Sequence, residues 1–194
     1  RATAARVADA LGRALAAARH AGDYSIRDEP DVLRPTKAAV ALRDAIAARD
    51  DEVARALGSA PNLLATWRGA LAGHVCRVVE AHLEPLKVSR AGAFVLARDV
   101  DELRRSVAEL GSADADARFV RLREGAAVFK LDPDSLRYVA LKPGGALAGL
   151  PRDELVNVLL RRSDAWTFRG RKAAWVEGLI ASLDASSSAG DLVS

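Results

Sequence analysis

The stretch from Pro61 to Glu84 carries a nearly uninterrupted helical pattern, and it limits the fold more than any other feature of the chain. Leu64, Trp67, Leu71, Val75, Val78 and Leu83 keep mostly to one stripe, and Val79 widens it. That periodicity predicts a central helix buried on more than one side, with Trp67, Leu71 and Val75 in the core. Gly69 and Gly73 stand four apart on it, where they either permit a close helix crossing or are tolerated as small residues. The pattern then breaks, because Pro85 removes a backbone donor and Gly92 lowers helix propensity. Asp99 offers a side-chain oxygen suited to an N-cap, and Glu102 follows three residues on, the arrangement of a capping box. The expectation is a buried connector through Phe94, Val95 and Leu96, then a new helix starting sharply at Asp99 with Leu103, Val107 and Leu110 on one face.

The rest of the chain reads in the same way. Ala2 to Arg19 is an Ala-rich helix with Val7, Leu11 and Leu15 four apart, ended near Gly22. Pro35 to Leu57 is a second helix, closed by the turn Gly58 to Pro61. After a polar turn from Gly111 to Asp116, Arg118 to Leu131 forms a helix with Phe119, Leu122, Ala126 and Phe129 together. Asp132 as N-cap and Pro133 in the first turn begin a short helix carrying Leu136, Val139 and Ala140. It stops at Pro143-Gly144-Gly145; a further helix runs from Pro151 to Leu160, and a last one from Ala165 to Leu183. Strand alternation and a fixed internal repeat are both missing from the sequence. The fold class is therefore all-α, with about seven or eight helices and breaks near Gly22–Arg34, Gly58–Pro61, Pro85–Arg98, Gly111–Asp116 and Lys142–Gly149. The organisation expected is an N-terminal pair of helices with a linker over 1–60, a helical bundle over 61–185, and a Ser-rich disordered tail over 186–194.

With 194 residues the chain can bury a sizeable core. Its 29 basic and 26 acidic side chains leave a net charge of only +3, spread over every helix. A nucleic-acid binder gathers its charge into one stripe, so this balance speaks against nucleic acid as partner. One cysteine, Cys76, rules out an internal disulfide framework and fits a reducing compartment. No apolar run approaches the ~18 residues of a spanning helix. The chain opens on Arg1 without Met, which reads as the C-terminal piece of a longer chain, and no secretory signal pattern is present in it.

The residues hold little chemistry. On a helix His74 and Cys76 point about 200° apart, and no fourth ligand accompanies them and His82, so metal: none. Cys76 has no clear activating base and reads as an inert buried thiol. Gly144 to Gly149 lacks the preceding strand and the Lys-Ser/Thr of a phosphate loop. Asp153 and Glu154 are explained by the positive end of a helix. No catalytic residue, cofactor or small-molecule substrate is indicated.

Charge and aromatic rings meet only between Arg161 and Lys172. Arg161, Arg162, Arg169, Arg171 and Lys172 surround Trp166 and Phe168, with Asp164 among them. One reading is a surface that grips an acidic partner or anionic lipid headgroups. The other is structural: an aromatic ring seals the last helix pair while the arginines cover its rim. These seven residues form the candidate interaction surface.

From about Leu64 to Ile180 the order of elements resembles the C-terminal helical region of the Sec-ten family of exocyst subunits, exocyst complex component five. The resemblance runs through Ala81-His82-Leu83, the small-residue connector Ala91-Gly92-Ala93-Phe94-Val95-Leu96, and Arg98-Asp99-Val100. It continues through Phe119-Val120 and the step Leu131-Asp132-Pro133-Asp134-Ser135-Leu136, and closes over Leu150 to Asp164. There relatives have an Arg-x-Asp-aromatic element; here Arg162-Ser163-Asp164-Ala165-Trp166 is displaced by one residue. The resemblance implies an elongated stack of antiparallel helical bundles in a non-catalytic tethering subunit, cytoplasmic and peripheral at the plasma membrane, holding secretory vesicles there before fusion. Other exocyst subunits, the Sec-fifteen subunit first, would be its partners, with weak contact to anionic membrane at most. The alternative is a basic helical module that binds anionic lipid or nucleic acid directly through Arg161 to Lys172.

Overall fold

The computed structural model describes residues 2–18, 22–28, 33–141, 151–166 and 171–190. Within them lie eight α-helices and no β-strand, only two isolated bridges, as the all-α reading requires. They are α1 (Ala2–Ala18), α2 (Lys37–Leu57), α3 (Pro61–Leu83), α4 (Gly92–Ala108), α5 (Ala113–Lys130), α6 (Pro133–Leu141), α7 (Arg152–Leu160) and α8 (Ala174–Gly190), with one 3-10 turn at Ser163–Ala165.

Local chemistry explains most ends. Thr36 caps α2 through an Oγ1 that accepts the Ala39 N–H at 3.2 Å. Pro61 opens α3 in its first turn, where a missing N–H costs nothing. Asp132 caps α6, its Oδ1 accepting the N–H groups of Asp134 and Ser135 at 3.1 and 2.9 Å. Ser112 caps α5, so Ala113 to Asp116 belong to the helix and not to the turn expected there; Asp114 and Asp116 sit in its first turn, where the helix field favours carboxylates. Gly111 supplies the turn's positive φ of 73°. The last helix begins at Ala174 and not at Ala165, because Trp166 is extended and bridges to Lys172 while the Ala165 carbonyl accepts the Ala173 N–H. That helix continues to Gly190, into the stretch expected as a tail; residues 191–194, and the Gly144–Gly149 connector, lie outside the described residues.

The largest departure concerns Asp99. It is no N-cap: α4 starts seven residues earlier, with Phe94, Val95 and Leu96 in its first turns. Its first turn is capped from Ser89, whose Oγ accepts the Gly92 N–H at 2.9 Å and whose carbonyl accepts that of Ala93. Gly92 does not weaken this helix so much as admit a neighbour. A Cβ there would stand 1.9 Å from the Tyr24 carbonyl oxygen, so the connector between α1 and α2 crosses α4 where only glycine fits. Gly69 and Gly73 take no comparable part, since no neighbouring backbone approaches either of them.

Packing divides into two cores. The larger joins Leu11 and Leu15 of α1, Leu42 and Ile46 of α2, Leu71, Val75 and Val79 of α3, Val100 and Leu103 of α4, and Phe119 of α5. The first sixty residues thus share one core with the helices that follow. Leu71 and Val75 are buried as the stripe predicts, but Trp67 is only half-buried against this core, with its Nε1–H inaccessible and unpaired. The smaller core gathers Val128 from the end of α5 with Leu136, Leu155, Leu159 and Leu179 of α6, α7 and α8.

Candidate interaction surface

At the end of α7 the chain runs Leu160-Arg161-Arg162, and the two arginines turn inward. Val88, just after α3, and Arg162 form a parallel bridge: the Val88 N–H donates to the Arg161 carbonyl, and the Ser163 N–H to that of Val88, each at 2.9 Å. This pins α7 beside the end of α3 and delivers each guanidinium to a helix C-terminus. Arg162 is 2% exposed; its Nη1 donates to the carbonyls of Val128 and Leu131 at 2.8 and 2.7 Å, closing α5. Its Nε and Nη2 grip both oxygens of Asp164, and its guanidinium lies 5.2 Å from the Trp175 ring. Arg161 donates to the carbonyls of Leu83 and Leu86 at the end of α3 and stacks 5.7 Å from Phe129. Burial holds its guanidinium below the ordinary value, with Glu84 pulling the other way. Cations at helix C-termini complement the unpaired carbonyls there. Arg162 is spent inside the protein, while the half-buried Arg161 also borders an open groove.

Trp166 remains at the surface, 36% exposed. Its Nε1–H donates to the Leu160 carbonyl at 2.8 Å, and the Lys87 ammonium sits 4.9 Å above its ring. Arg171 and Lys172 are exposed. Phe168 and Arg169 lie outside the described residues. The expected seven-residue surface is thus divided: Arg161 and Arg162 act within the fold, while Trp166, Arg171 and Lys172 face solvent. No signal local to Arg161 or Arg162 marks them as caps, because the helices they close are 78 and 31 residues away in sequence.

Beside this clasp, an open groove of about 980 Å³ runs between α3, α5 and α7. Leu83, Leu122, Ala126, Phe129 and Val158 lie along it, and Trp166 and Lys87 stand at the end where α3 and α7 finish. Its charges are mixed: Arg118 is already paired with Glu80, and Glu84, Asp114 and Glu154 stand against Arg77, Lys87, Arg121 and Arg161. No side chain in it is poised as nucleophile or base. The Cys76 thiol is pushed up to about 11 by burial, and donates weakly to the Ala115 carbonyl. Burial lowers His74, whose Nδ1 lies 2.8 Å from the Arg77 guanidinium. No group of three His, Cys, Asp or Glu side chains is placed to hold a metal, and no helix is long and apolar enough to cross a membrane, among the described residues.

The polar constellation that the sequence concealed lies where the connector between α1 and α2 meets α4. Asp99 is 2% exposed and accepts the Tyr24 hydroxyl at 2.6 Å and both the N–H and the hydroxyl of Thr36 at 2.7 Å. Burial raises its carboxyl above the ordinary range against these three donors; burial and the Asp99 charge likewise raise Tyr24. Ser89 completes the clamp, donating its hydroxyl to the Ile26 carbonyl at 2.6 Å and its N–H to Tyr24 at 2.8 Å. The connector between α1 and α2 is thereby fastened to α4. With every oxygen engaged inside the fold, the cluster positions helices and has no free group for chemistry.

Compared with known families, the chain matches the pattern described as “Exocyst complex component Sec10-like, alpha-helical bundle” over residues 2–173. No curated protein matches the chain.

Proposed function

The chain belongs to the exocyst Sec10-like helical-bundle family, and from that premise we propose that it is a subunit that docks secretory vesicles at the plasma membrane through protein–protein contacts. The family is of a non-enzymatic scaffold type and implies contact with other exocyst subunits. The observation that carries the reading is the span of the match, which takes in seven of the eight helices, the larger core and all of the smaller one but the residues of α8. Physical chemistry supports it from a second side. The cluster of charge and aromatic rings between Arg161 and Lys172 has Arg161 and Arg162 turned into helix ends, which leaves Arg171 and Lys172 as its exposed cations among the described residues. Each such cation contributes ~1 kcal/mol near an anionic leaflet, too little for attachment without partners. Recruitment to the membrane and a cytoplasmic location then follow from assembly, with the Sec-fifteen subunit as the first candidate neighbour.

The test is co-purification of the full chain with the other exocyst subunits, beside co-sedimentation with phosphatidylserine vesicles at ~150 mM salt. Saturable binding to a subunit and none to vesicles is the expected result. Tight vesicle binding that Arg171→Ala and Lys172→Ala abolish, with no subunit retained, would overturn it in favour of a membrane module.

A further inference from the structure

Three guanidinium groups converge on one carboxylate along the solvent side of α4. Glu102 is 9% exposed; Arg43 of α2 reaches its Oε1 at 3.0 Å, Arg105 its Oε2 at 2.7 Å, and Arg98 stands 4.0 Å away. Arg98 makes no hydrogen bond among the described residues. It belongs to a stripe of Phe94, Arg98, Asp101 and Arg105, whose spacings of four, three and four keep one face of α4, and Arg90 stands four residues before Phe94 in the turn that opens the helix. From α5, Arg123 holds Asp101, and the Lys130 ammonium lies 4.9 Å over the Phe94 ring. Arg90, Arg98 and Arg105 thus lie along this face beside two carboxylates, Asp101 and Glu102, each already held by an arginine from a neighbouring helix, with Glu109 four residues beyond Arg105. Elsewhere on the surface the exposed pairs are close to balanced, as Arg49 with Glu52, Arg68 with Asp50 and Arg104 with Asp116.

We propose that this face of α4 docks an acidic helix of another polypeptide, one that carries carboxylates every seven or eight residues. The spacing follows from the stripe itself. Arg90 to Arg98 is about 12 Å along a helix and Arg98 to Arg105 about 10.5 Å, and a helix laid alongside repeats the same rise. Carboxylates at those steps meet each guanidinium in turn, in the planar two-bond geometry that arginine favours. An anionic bilayer fits less well. The stripe offers no exposed aliphatic side chain to bury, and its one aromatic ring is half-buried beneath Lys130. This reading takes the identity of the partner, another tether subunit, from the proposed function; the charge match does not depend on it.

The experiment uses the full chain and two labelled helical peptides of equal composition, one with glutamates every seven or eight residues and one with them dispersed around the helix. Fluorescence anisotropy at ~150 mM salt measures binding. The matched peptide is expected to bind at least about tenfold more tightly than the dispersed one. The double variant Arg90→Gln/Arg98→Gln, which removes no internal hydrogen bond and brings no carboxylate beside Glu102, should lose that preference with a nearly unchanged urea midpoint. Equal affinity for both peptides, an unaffected variant, or vesicles of phosphatidylserine that compete the peptide away would each overturn the proposal. Co-purification separates the two readings. If the variant still co-purifies with the tether subunits as the wild type does, the α4 site falls and the tethering role stands. If the wild type fails to co-purify while the peptide result holds, the tethering role falls and the α4 site stands.

Discussion

Gly92 and Asp99, seven residues apart on α4, both meet Tyr24, and each makes a test at the scale of a single residue. In an open helix, Gly→Ala gains up to about 1 kcal/mol of helix propensity. At position 92 the sign reverses, because the added carbon meets the Tyr24 carbonyl at 1.9 Å and backbone must move. Gly92→Ala should lower stability by about 1–3 kcal/mol, the range for forcing extra volume into a packed site, read from the urea midpoint. Asp99 gives a pH dependence. Burial raises its folded-state carboxyl above the ordinary value of 3.8, so the fold favours the protonated form. The stability this contributes is fully present below about 3.8 and is lost as pH rises through the raised folded value. Unfolding free energies taken from pH 3.5 upward, as a difference between wild type and Asp99→Asn, should therefore fall with rising pH and then level off. A difference that grows with pH would show instead that the three donors outweigh burial.

Among the elements, α3 carried the clearest pattern and repays a paired comparison. Leu71 is 1% exposed and Leu64 is only half-buried, although both sit on the stripe. Leu71→Ala should cost ~2–5 kcal/mol and Leu64→Ala much less, measured by urea unfolding with the slope held constant. Where the sequence sufficed, the reason was local. The ends of α2, α3 and α6 were legible because Gly58, Pro61 and Asp132 act within one turn of themselves. The start of α4 was not, since Asp99 and Glu102 have the chemistry of a capping box but spend it on Thr36, Tyr24 and Arg43, 59 to 75 residues away. The same holds for Arg161 and Arg162, whose clustering with aromatic rings was visible while their carbonyl partners were not. Ser89 as the true cap is a single hydroxyl before a glycine, a signal outweighed by the Asp99–Glu102 pair.

At the scale of the whole molecule, the two cores imply two levels of stability. The larger core is fed by five helices, and the smaller rests on a few leucines and valines from α6, α7, α8 and the last turns of α5. Burial of fewer apolar side chains gives a lower free energy of local opening. Val88 of the large core bridges through its backbone to Arg162, whose side chain holds the end of α5, Asp164 and the face of Trp175 in the small one. Hydrogen exchange should find the amides of α6 and α8 opening together, well below the energy at which the middle of α3 exchanges. Arg162→Met keeps most of the stem but leaves the Val128 and Leu131 carbonyls unpaired, at a cost of about 1–3 kcal/mol. That cost should fall on the opening of α6 and α8, speeding their exchange by roughly five- to a hundred-fold while the Leu71–Val79 turns of α3 keep their protection. If α3, α6 and α8 instead exchange at one common free energy, and Arg162→Met lowers all three alike, the chain unfolds as a single unit and the arginine is a peg in one core rather than a clasp between two.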